Sequence, residues 1–509
     1  MLDWARARAE AASITESWRQ EGGPGGAVVI FDTTGVREAL SGGFAVIEHG
    51  LAFTPDTTNR FASISKHILA TLLLQADVPF DAPLGTWLAD LPEAFARLPL
   101  GRALDMTGAL PDMMEVFWQR GVPYTASLSA SEILAVAQRL PSLNGEPGLE
   151  MAYSNTGWRL GQLVLQKRLG IDYARAVDRL MAEFDLPIRF PQDETEIVPG
   201  LATGYWRDGE SWRRGRYGFH FSASGGIAGS AAGLARWASA LLAGRGTLAG
   251  MLERLTAPRA FADGSASVYR LGLVCSALED VALVGHGGSL PGYRNHVLMA
   301  PAHGVGVVVL SNREEDALWL SLRVLAALLG RDLPNPANEV PTGLFATESG
   351  PFWAELAPDS ISFMGGYERL VSDGDNGLRS LPAYLDIRLR QTGADTLEGT
   401  IGGVRRRLVR VPAETALDPG LPGRWRERIF GAEILIRPDG TAVMPWTGDA
   451  GIETVLTALP GGRALADLSH GPWRHRPCLC LQVDGSLHLA SHRARVLQFD
   501  RIAEQGARS

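Results

Sequence analysis

The sequence predicts a multidomain α+β protein, with one long domain mixing helices and antiparallel strands, followed by two small all-β modules. Three observations predict this. At 509 residues the chain is longer than one hydrophobic core accommodates. Residues 1–332 interleave helical periodicities with strand-like apolar runs. Beyond "LPNPANEVPTG" (333–343) the pattern changes to short alternating runs with turn signals, broken again at "PAETALDPGLPG" (412–423). The expected division is a domain over 1–332, a linker 333–343, a β module 344–412, a linker 413–423 and a second β module 424–509.

The elements follow in order. "MLDWARARAEAASITESWRQ" reads as a surface helix without the charged-then-apolar pattern of a signal peptide. "AVVIFD" (27–32) and "GGFAVIEHG" (42–50) read as strands flanking a turn. "SASEILAVAQRL" opens with Ser129 and Glu132 in capping-box spacing, so a helix starts there. "GSAAGLARWASALLAG" (229–244) and "DALWLSLRVLAALLG" (316–330) are amphipathic helices closed by glycine. "RNHVLMA" and "GVGVVVLSN" flank a Pro-Ala-His-Gly turn and form a hairpin over 294–312. In the β modules, "EILIRPDGTAVMPW" and "LCLQVDGSLHLA" carry hairpin turn residues. Both modules open alike, "GLF" at 343 and "GRW" at 423, with "AEL" and "AEI" about ten residues later.

Composition narrows the function. A net charge of −8 gives no basic footprint for nucleic acid. Cys275, Cys478 and Cys480 form neither a disulfide framework nor a zinc site. "HLASH" (488–492) has histidine spacing but no glutamate, so no metal or other cofactor is expected. No apolar run is long enough to span a bilayer, and the expected compartment is the cytoplasm. Among 48 basic residues only Lys66 and Lys167 are lysine. Arginine can replace a solvated positive charge but not an amine that must lose its proton. A lysine three residues after a serine therefore matters in this chain.

Three motifs carry chemistry. In "RFASISKHILA" (60–70), Ser63 and Lys66 share one helix face, whereas Ser65 points elsewhere. Serine is a poor nucleophile without a base, and a lysine serves as one when burial or a neighbouring cation lowers its pKa. The bland alternative is a serine at a helix start beside a solvated lysine. In "PGLEMAYSNTGW" (147–158), Tyr153 can bond the serine oxygen and relay protons, and Asn155 can bond a substrate carbonyl or orient the lysine; alone, the pair would be an aromatic packed under a loop. In "LVGHGGSLPGYRNH" (283–296), a strand runs into His286-Gly287-Gly288, whose glycines let a substrate lie along the sheet edge.

Ser63-x-x-Lys66, Tyr153-x-Asn155 and His286-x-Gly288, in that order, resemble the penicillin-recognising serine hydrolases, which include class C β-lactamases, DD-carboxypeptidases, esterases and D-aminopeptidases. The similarity extends over the approach to the nucleophile, "GGPGGAVVIFDTTGVREALSGGFAVIEHGLAFTPDTTNRFASISKH", and over "MTGALPDM" and "ASGGIAGSAAGLARW", covering residues 20–330. The β-lactamases carry lysine where His286 stands. A histidine there, two C-terminal β modules and this length most resemble bacterial D-aminopeptidases.

The resemblance implies a β-lactamase/transpeptidase-like domain, an antiparallel sheet flanked by helices, plus two lipocalin-like antiparallel barrels. It implies hydrolysis of N-terminal D-amino acids from peptides, amides and esters through an acyl-enzyme on Ser63. Lys66 and Tyr153 would share the proton work and His286 would assist. Asn155 and Arg294 would bind substrate, and Gly288 and Ser289 would line the edge, with Ser63 and Ser289 N–H groups as the oxyanion hole. A loop near "LADLSHGPWRHRP" (465–477) would receive the substrate ammonium, with Asp467 as its only carboxylate. β-Lactams are expected as inhibitors and a homodimer as the assembly. The alternatives are a broad esterase or β-lactamase using the same residues, or a silent penicillin-binding scaffold. A DD-carboxypeptidase is disfavoured because its substrate lies outside the membrane.

Overall fold

The computed structural model describes residues 1–337, 340–374, 376–382, 384–446 and 451–502. Residues 338–339 of the expected linker and 503–509 of the last module lie outside these. The first domain is built on a six-stranded antiparallel sheet: β1 (Gly26–Asp32), β2 (Gly35–Gly42), β3 (Val274–Leu278), β4 (Val281–Leu290), β5 (Tyr293–Ala300) and β6 (Val305–Ser311), in the order β2-β1-β6-β5-β4-β3. Both faces are covered, which explains the continuous apolar runs of β1 and β6. Val28, Ile30, Val307 and Val309 pack with Ala7, Ala11, Ile14 and Trp18 of helix Trp4–Glu21 and with helix Ala317–Leu329. Ala27, Val29, Phe31, Val308 and Leu310 face the opposite core, with Trp237 of helix Ala231–Leu242. The expected hairpin is β5–β6, in register from Arg294↔Ser311 to Ala300↔Val305. Helix Ala130–Ala137 starts on the expected capping box of Ser129 and Glu132.

One strand falls elsewhere than expected. The partner of β1 is Gly35–Gly42, whereas 42–50 contributes only Phe44–Val46 and a 3-10 turn, Ile47–His49. As the edge strand, β2 is partly exposed and carries Arg37 and Glu38, which an apolar-run criterion passes over. Strand geometry ends at Gly42, where a Cβ would strike the Thr15 carbonyl, and Gly43 (φ 70°) turns the chain away.

The C-terminal region forms two antiparallel barrels. Eight strands from Gly343–Ala346 to Val404–Arg410 pair successively, and the first closes on the last at Phe345↔Arg410. Nine strands from Gly423–Glu427 to Leu497–Ile502 make the second sheet. Its two edges, Ile452–Val455 and Thr457–Leu459, are consecutive in the chain, so it nearly closes. The "GLF"/"GRW" similarity has a structural counterpart. Arg410 and Arg501, each on the last strand of its barrel, lie 4.7 and 4.5 Å from the Phe345 and Trp425 rings and donate to the carbonyls of Thr342 and Pro422.

Glu150, three residues before Tyr153, clamps both barrels to the first domain. It accepts from Arg406 of the first barrel (2.9 Å) and from Arg495 of the second (2.8 Å). Burial alone would push its carboxyl up, but Arg495 and Arg406 prevail and hold it at about 2. E150A leaves two buried arginines without their shared carboxylate and is expected to cost about 3–5 kcal/mol in denaturant unfolding. Because the folded pKa is depressed, the wild-type advantage over E150Q is full above the ordinary value of 4.5 and fades as pH falls toward 2. Midpoints measured across that window check the sign.

Candidate active site

The three motifs converge where β4, the Ser63 turn and the start of helix Thr156–Leu169 meet. Ser63 lies in a 3-10 turn, Ala62–Ile64, leading into helix Ser65–Gln75. Ala62 has φ 52°, a conformation that costs a non-glycine residue energy and projects Ser63 out of the helical path. Ser65 fixes that turn: its hydroxyl donates to Ala62 O (2.7 Å) and accepts from Ile227 N–H (3.1 Å). It is therefore a structural residue beside Ser63.

Lys66 is fully buried, and its Nζ meets three oxygens: Ser63 Oγ at 3.0 Å, Asn155 Oδ1 at 2.8 Å and the Ser224 carbonyl at 2.6 Å. Burial drives its pKa well below the ordinary lysine value; Asp112 pulls it up and Arg493 pushes it further down. A neutral amine has two N–H donors and one lone pair. Asn155 Oδ1 and Ser224 O take the donors, so the lone pair faces the Ser63 hydroxyl. Asp112 holds Asn155 in place, its Oδ2 accepting from Asn155 N (2.7 Å) and Nδ2 (2.9 Å).

Tyr153 is buried, which raises its pKa; a hydrogen bond with Ser63 and the Arg493 charge oppose that rise. Lys66 Nζ lies 4.9 Å from its ring centroid. His286 is also buried and stays neutral, because burial and then Lys66 disfavour its cation. Its Nδ1–H donates to Gly287 O (2.6 Å), so Nε2 accepts from Tyr269 OH (2.9 Å). Its ring lies 6.3 Å from that of Tyr153.

The pairing of β3 with β4 runs only from Val281 to Gly285, leaving His286–Leu290 without a partner strand on that edge. Gly288 packs so closely under the Phe61 carbonyl that a Cβ would collide with it, and Ser289 beyond it is exposed. Arg294 faces Ser289 across the hairpin but pairs with Glu314 and donates to Leu290 O and Tyr293 O, all at the hairpin turn. Asp467 is exposed, and its carboxylate accepts from Ser469 N–H in its own turn (2.8 Å), with no contact to the Ser63 cluster. The 465–477 loop instead packs Trp473 against Tyr124 and Tyr217 and lays the Leu468 carbonyl on Trp118 Nε1 (3.0 Å).

Several residues at the site were not expected from sequence. Tyr269 holds His286, and Ser224 offers Lys66 a backbone carbonyl. Asp112, quoted in sequence only within "MTGALPDM", is the N-cap of helix Met113–Gln119. Tyr384 of the first barrel and Arg493 of the second both contact the Tyr153 ring. Neither has a local motif. Lys167, the other lysine, lines a separate cavity of about 570 Å³ between Leu91, Leu134 and Leu163. Among the described residues no three His, Cys, Asp or Glu side chains are grouped as metal ligands would be.

A serine hydroxyl against a buried amine, on a helix start beside an open sheet edge, is the arrangement of an active-site-serine hydrolase. The chain belongs to the beta-lactamase family, whose model matches residues 11–330. Its curated relatives include D-aminopeptidases. It is similar to the one from Gluconobacter oxydans (strain 621H), 30% identical over 505 residues covering 93% of this chain and 94% of the relative. It is also similar to the one from Brucella abortus (strain S19), 25% identical with 83% and 82% covered. The fold is similar to that of the octameric penicillin-binding protein homologue from Pyrococcus abyssi (TM-score 0.57, 17% identity, 97% and 99% covered). It is likewise similar to the D-amino acid amidase from Ochrobactrum anthropi SV3 (TM-score 0.54, 22% identity, 64% and 99% covered).

The close approach at Gly288 gives a test of the geometry. G288A pushes the β4 edge off Phe61, and a displacement near 1 Å is expected to slow phosphonylation of Ser63 by a fluorophosphonate roughly a hundred-fold. Mass-spectrometric labelling rates measure this; an unchanged rate would show that the β4 edge does not shape the site.

Proposed function

We propose that the protein is a serine aminopeptidase that removes N-terminal D-amino acids, such as D-alanine, from peptides, amides and esters. The observation that carries the reading is the Lys66 amine at 3.0 Å from Ser63 Oγ, buried and aimed by two further acceptors. The names of the curated relatives support the aminopeptidase reading over an esterase or a β-lactamase.

Ser63 Oγ attacks the substrate carbonyl carbon as its proton passes to the Lys66 lone pair. Tyr153, bonded to Ser63, relays that proton to the leaving amine as the C–N bond breaks. The oxyanion forms beside the backbone N–H groups of Ser63 and Ser289, each donor contributing about 3 kcal/mol. Asn155 has two duties, holding Lys66 and presenting Nδ2 near the substrate amide. His286, neutral and tied to Tyr269, shapes the β4 edge rather than exchanging a proton. Water then attacks the acyl-enzyme along the reverse proton route and releases the D-amino acid. Arg294 acts by fixing the hairpin turn beside Ser289. The 465–477 loop is the proposed receiver of the substrate ammonium, with Asp467 its one carboxylate.

S63A is expected to lower turnover of D-alanine p-nitroanilide by at least about a thousand-fold, and full activity in S63A would sink the assignment. Comparison of D-Ala, L-Ala and N-acetyl-D-Ala anilides tests the aminopeptidase reading, which requires loss of activity on acetylation. A β-lactam is expected to acylate Ser63 and inhibit.

A cytoplasmic homodimer belongs to the same proposal. Light scattering is expected to give twice the 54.6 kDa chain mass; an octameric mass would overturn the dimer.

A further inference from the structure

Arg493, near the far end of the chain, reaches the Tyr153 ring of the active site. The turn between strands Leu487–Ala490 and Leu497–Ile502 of the second barrel is buried against the first domain. Its backbone is held at several points. Arg493 O accepts from Asp112 N (2.9 Å) and Asn144 Nδ2 (2.9 Å), and Arg493 N donates to Glu115 Oε2 (3.2 Å). Gln119 Nε2 donates to Ser491 Oγ and Ala494 O, both at 3.1 Å. From this anchored turn the Arg493 guanidinium extends over Tyr153, 4.8 Å from the ring centroid, and lies 5.4 Å from the ring of Tyr384. Lys66 Nζ lies 4.9 Å from the same Tyr153 centroid. The same Tyr153 ring thus neighbours both a permanent cation and the amine that must be neutral.

A continuous hydrogen-bond chain also joins this turn to the serine. Arg493 O accepts from Asp112 N, the Asp112 carboxylate accepts from Asn155, Asn155 Oδ1 accepts from Lys66, and Lys66 meets Ser63. We propose that Arg493 is a positioning residue for acyl transfer. It is a cation lent by the second barrel that favours the deprotonated state of the Lys66–Tyr153 pair and couples Ser63 reactivity to barrel docking. The inference rests on the reading of Ser63 as nucleophile and Lys66 as its base.

The charges facing the pair bear out the sign. Asp112, the N-cap of helix Met113–Gln119, opposes Arg493 by favouring the Lys66 cation. Glu115 of the same helix lies 3.6 Å from Arg493 Nε and partly offsets its charge; burial pushes its carboxyl up and the Arg493 charge opposes that rise. Tyr384 and Tyr269 are held as neutral phenols by burial. His286 is neutral, and burial holds His475 and His492 of the second barrel at about 3, so none supplies a competing cation near neutral pH. Arg493 cannot lose its proton in this setting. The same Coulombic field acts on Lys66 and on the Tyr153 phenol, and for both it favours losing the proton.

The test follows the pH dependence of Ser63 phosphonylation by diisopropyl fluorophosphate, read by mass spectrometry, so that it does not depend on which substrate the enzyme takes. In the wild type the rate rises with pH as Lys66 deprotonates. R493M is expected to move that acid limb up by at least about one pH unit, with R493K restoring most of it. A uniform fall in rate with the limb unmoved would assign Arg493 a purely structural role and overturn the inference. R493Q, uncharged but able to hydrogen-bond, serves the same comparison should R493M fail to fold, judged by circular dichroism. Absence of labelling in the wild type would instead overturn the reading of Ser63 on which this rests.

Discussion

Burial of the Lys66 amine without a carboxylate in direct contact is the constraint on which the site depends. A charged amine so placed would lack a counter-ion, so burial favours the neutral form. The surroundings suit that form: a side-chain amide and a backbone carbonyl absorb its two N–H groups, and the serine hydroxyl meets the lone pair. Much of the neighbouring sequence serves this arrangement. Ala62 accepts a left-handed backbone ahead of Ser63, Ser65 bolts the turn, and Asp112 holds Asn155 while its charge pulls the Lys66 pKa up from beyond that amide. A carboxylate one bond closer would turn the base into half of an ion pair.

The second constraint is that the site is built by three domains. Tyr153 is enclosed by Tyr269 and His286 from the first domain, Tyr384 from the first barrel and Arg493 from the second. Glu150, three positions earlier, gathers an arginine from each barrel. The segment 150–155 is thus both the seat of the barrels and a wall of the site. Forces that seat the barrels also set the Tyr153 ring. The barrels therefore contribute to the surroundings of Tyr153.

Sequence reading reached what local chemistry encodes. Ser63, Lys66, Tyr153 and Asn155 sit in short motifs whose spacing follows from a helix start or a loop before a helix, and the structure brings them together. Strands buried on both faces were legible as apolar runs, and the capping box located its helix. The edge strand Gly35–Gly42 was not, because exposure on one side replaces apolar residues by Arg37 and Glu38. Arg294 was read toward substrate from its nearness to His286 in sequence, but at the hairpin turn its nearest charge is Glu314. Tyr384 and Arg493 left no local signal, since they lie 231 and 340 positions beyond Tyr153. Only the packing of barrels onto the first domain brings them there. One more arginine among so many carries no mark of its role.

That abundance of arginine makes the distribution of the two cations informative. Lys66 and Arg493 lie at nearly equal distances from one tyrosine ring, yet the chemistry demands opposite properties of them. The first must surrender its proton within a low-dielectric pocket, which a guanidinium does not do at any accessible pH. The second must keep its charge, which a guanidinium does at any accessible pH. A chain that uses arginine at 46 of its 48 basic positions keeps a lysine where titration is required. It keeps arginine beside the same tyrosine ring, where titration would defeat the purpose. The two residues are therefore not interchangeable even though both are basic in sequence, and K66R replaces the neutral base with a buried, permanently charged guanidinium.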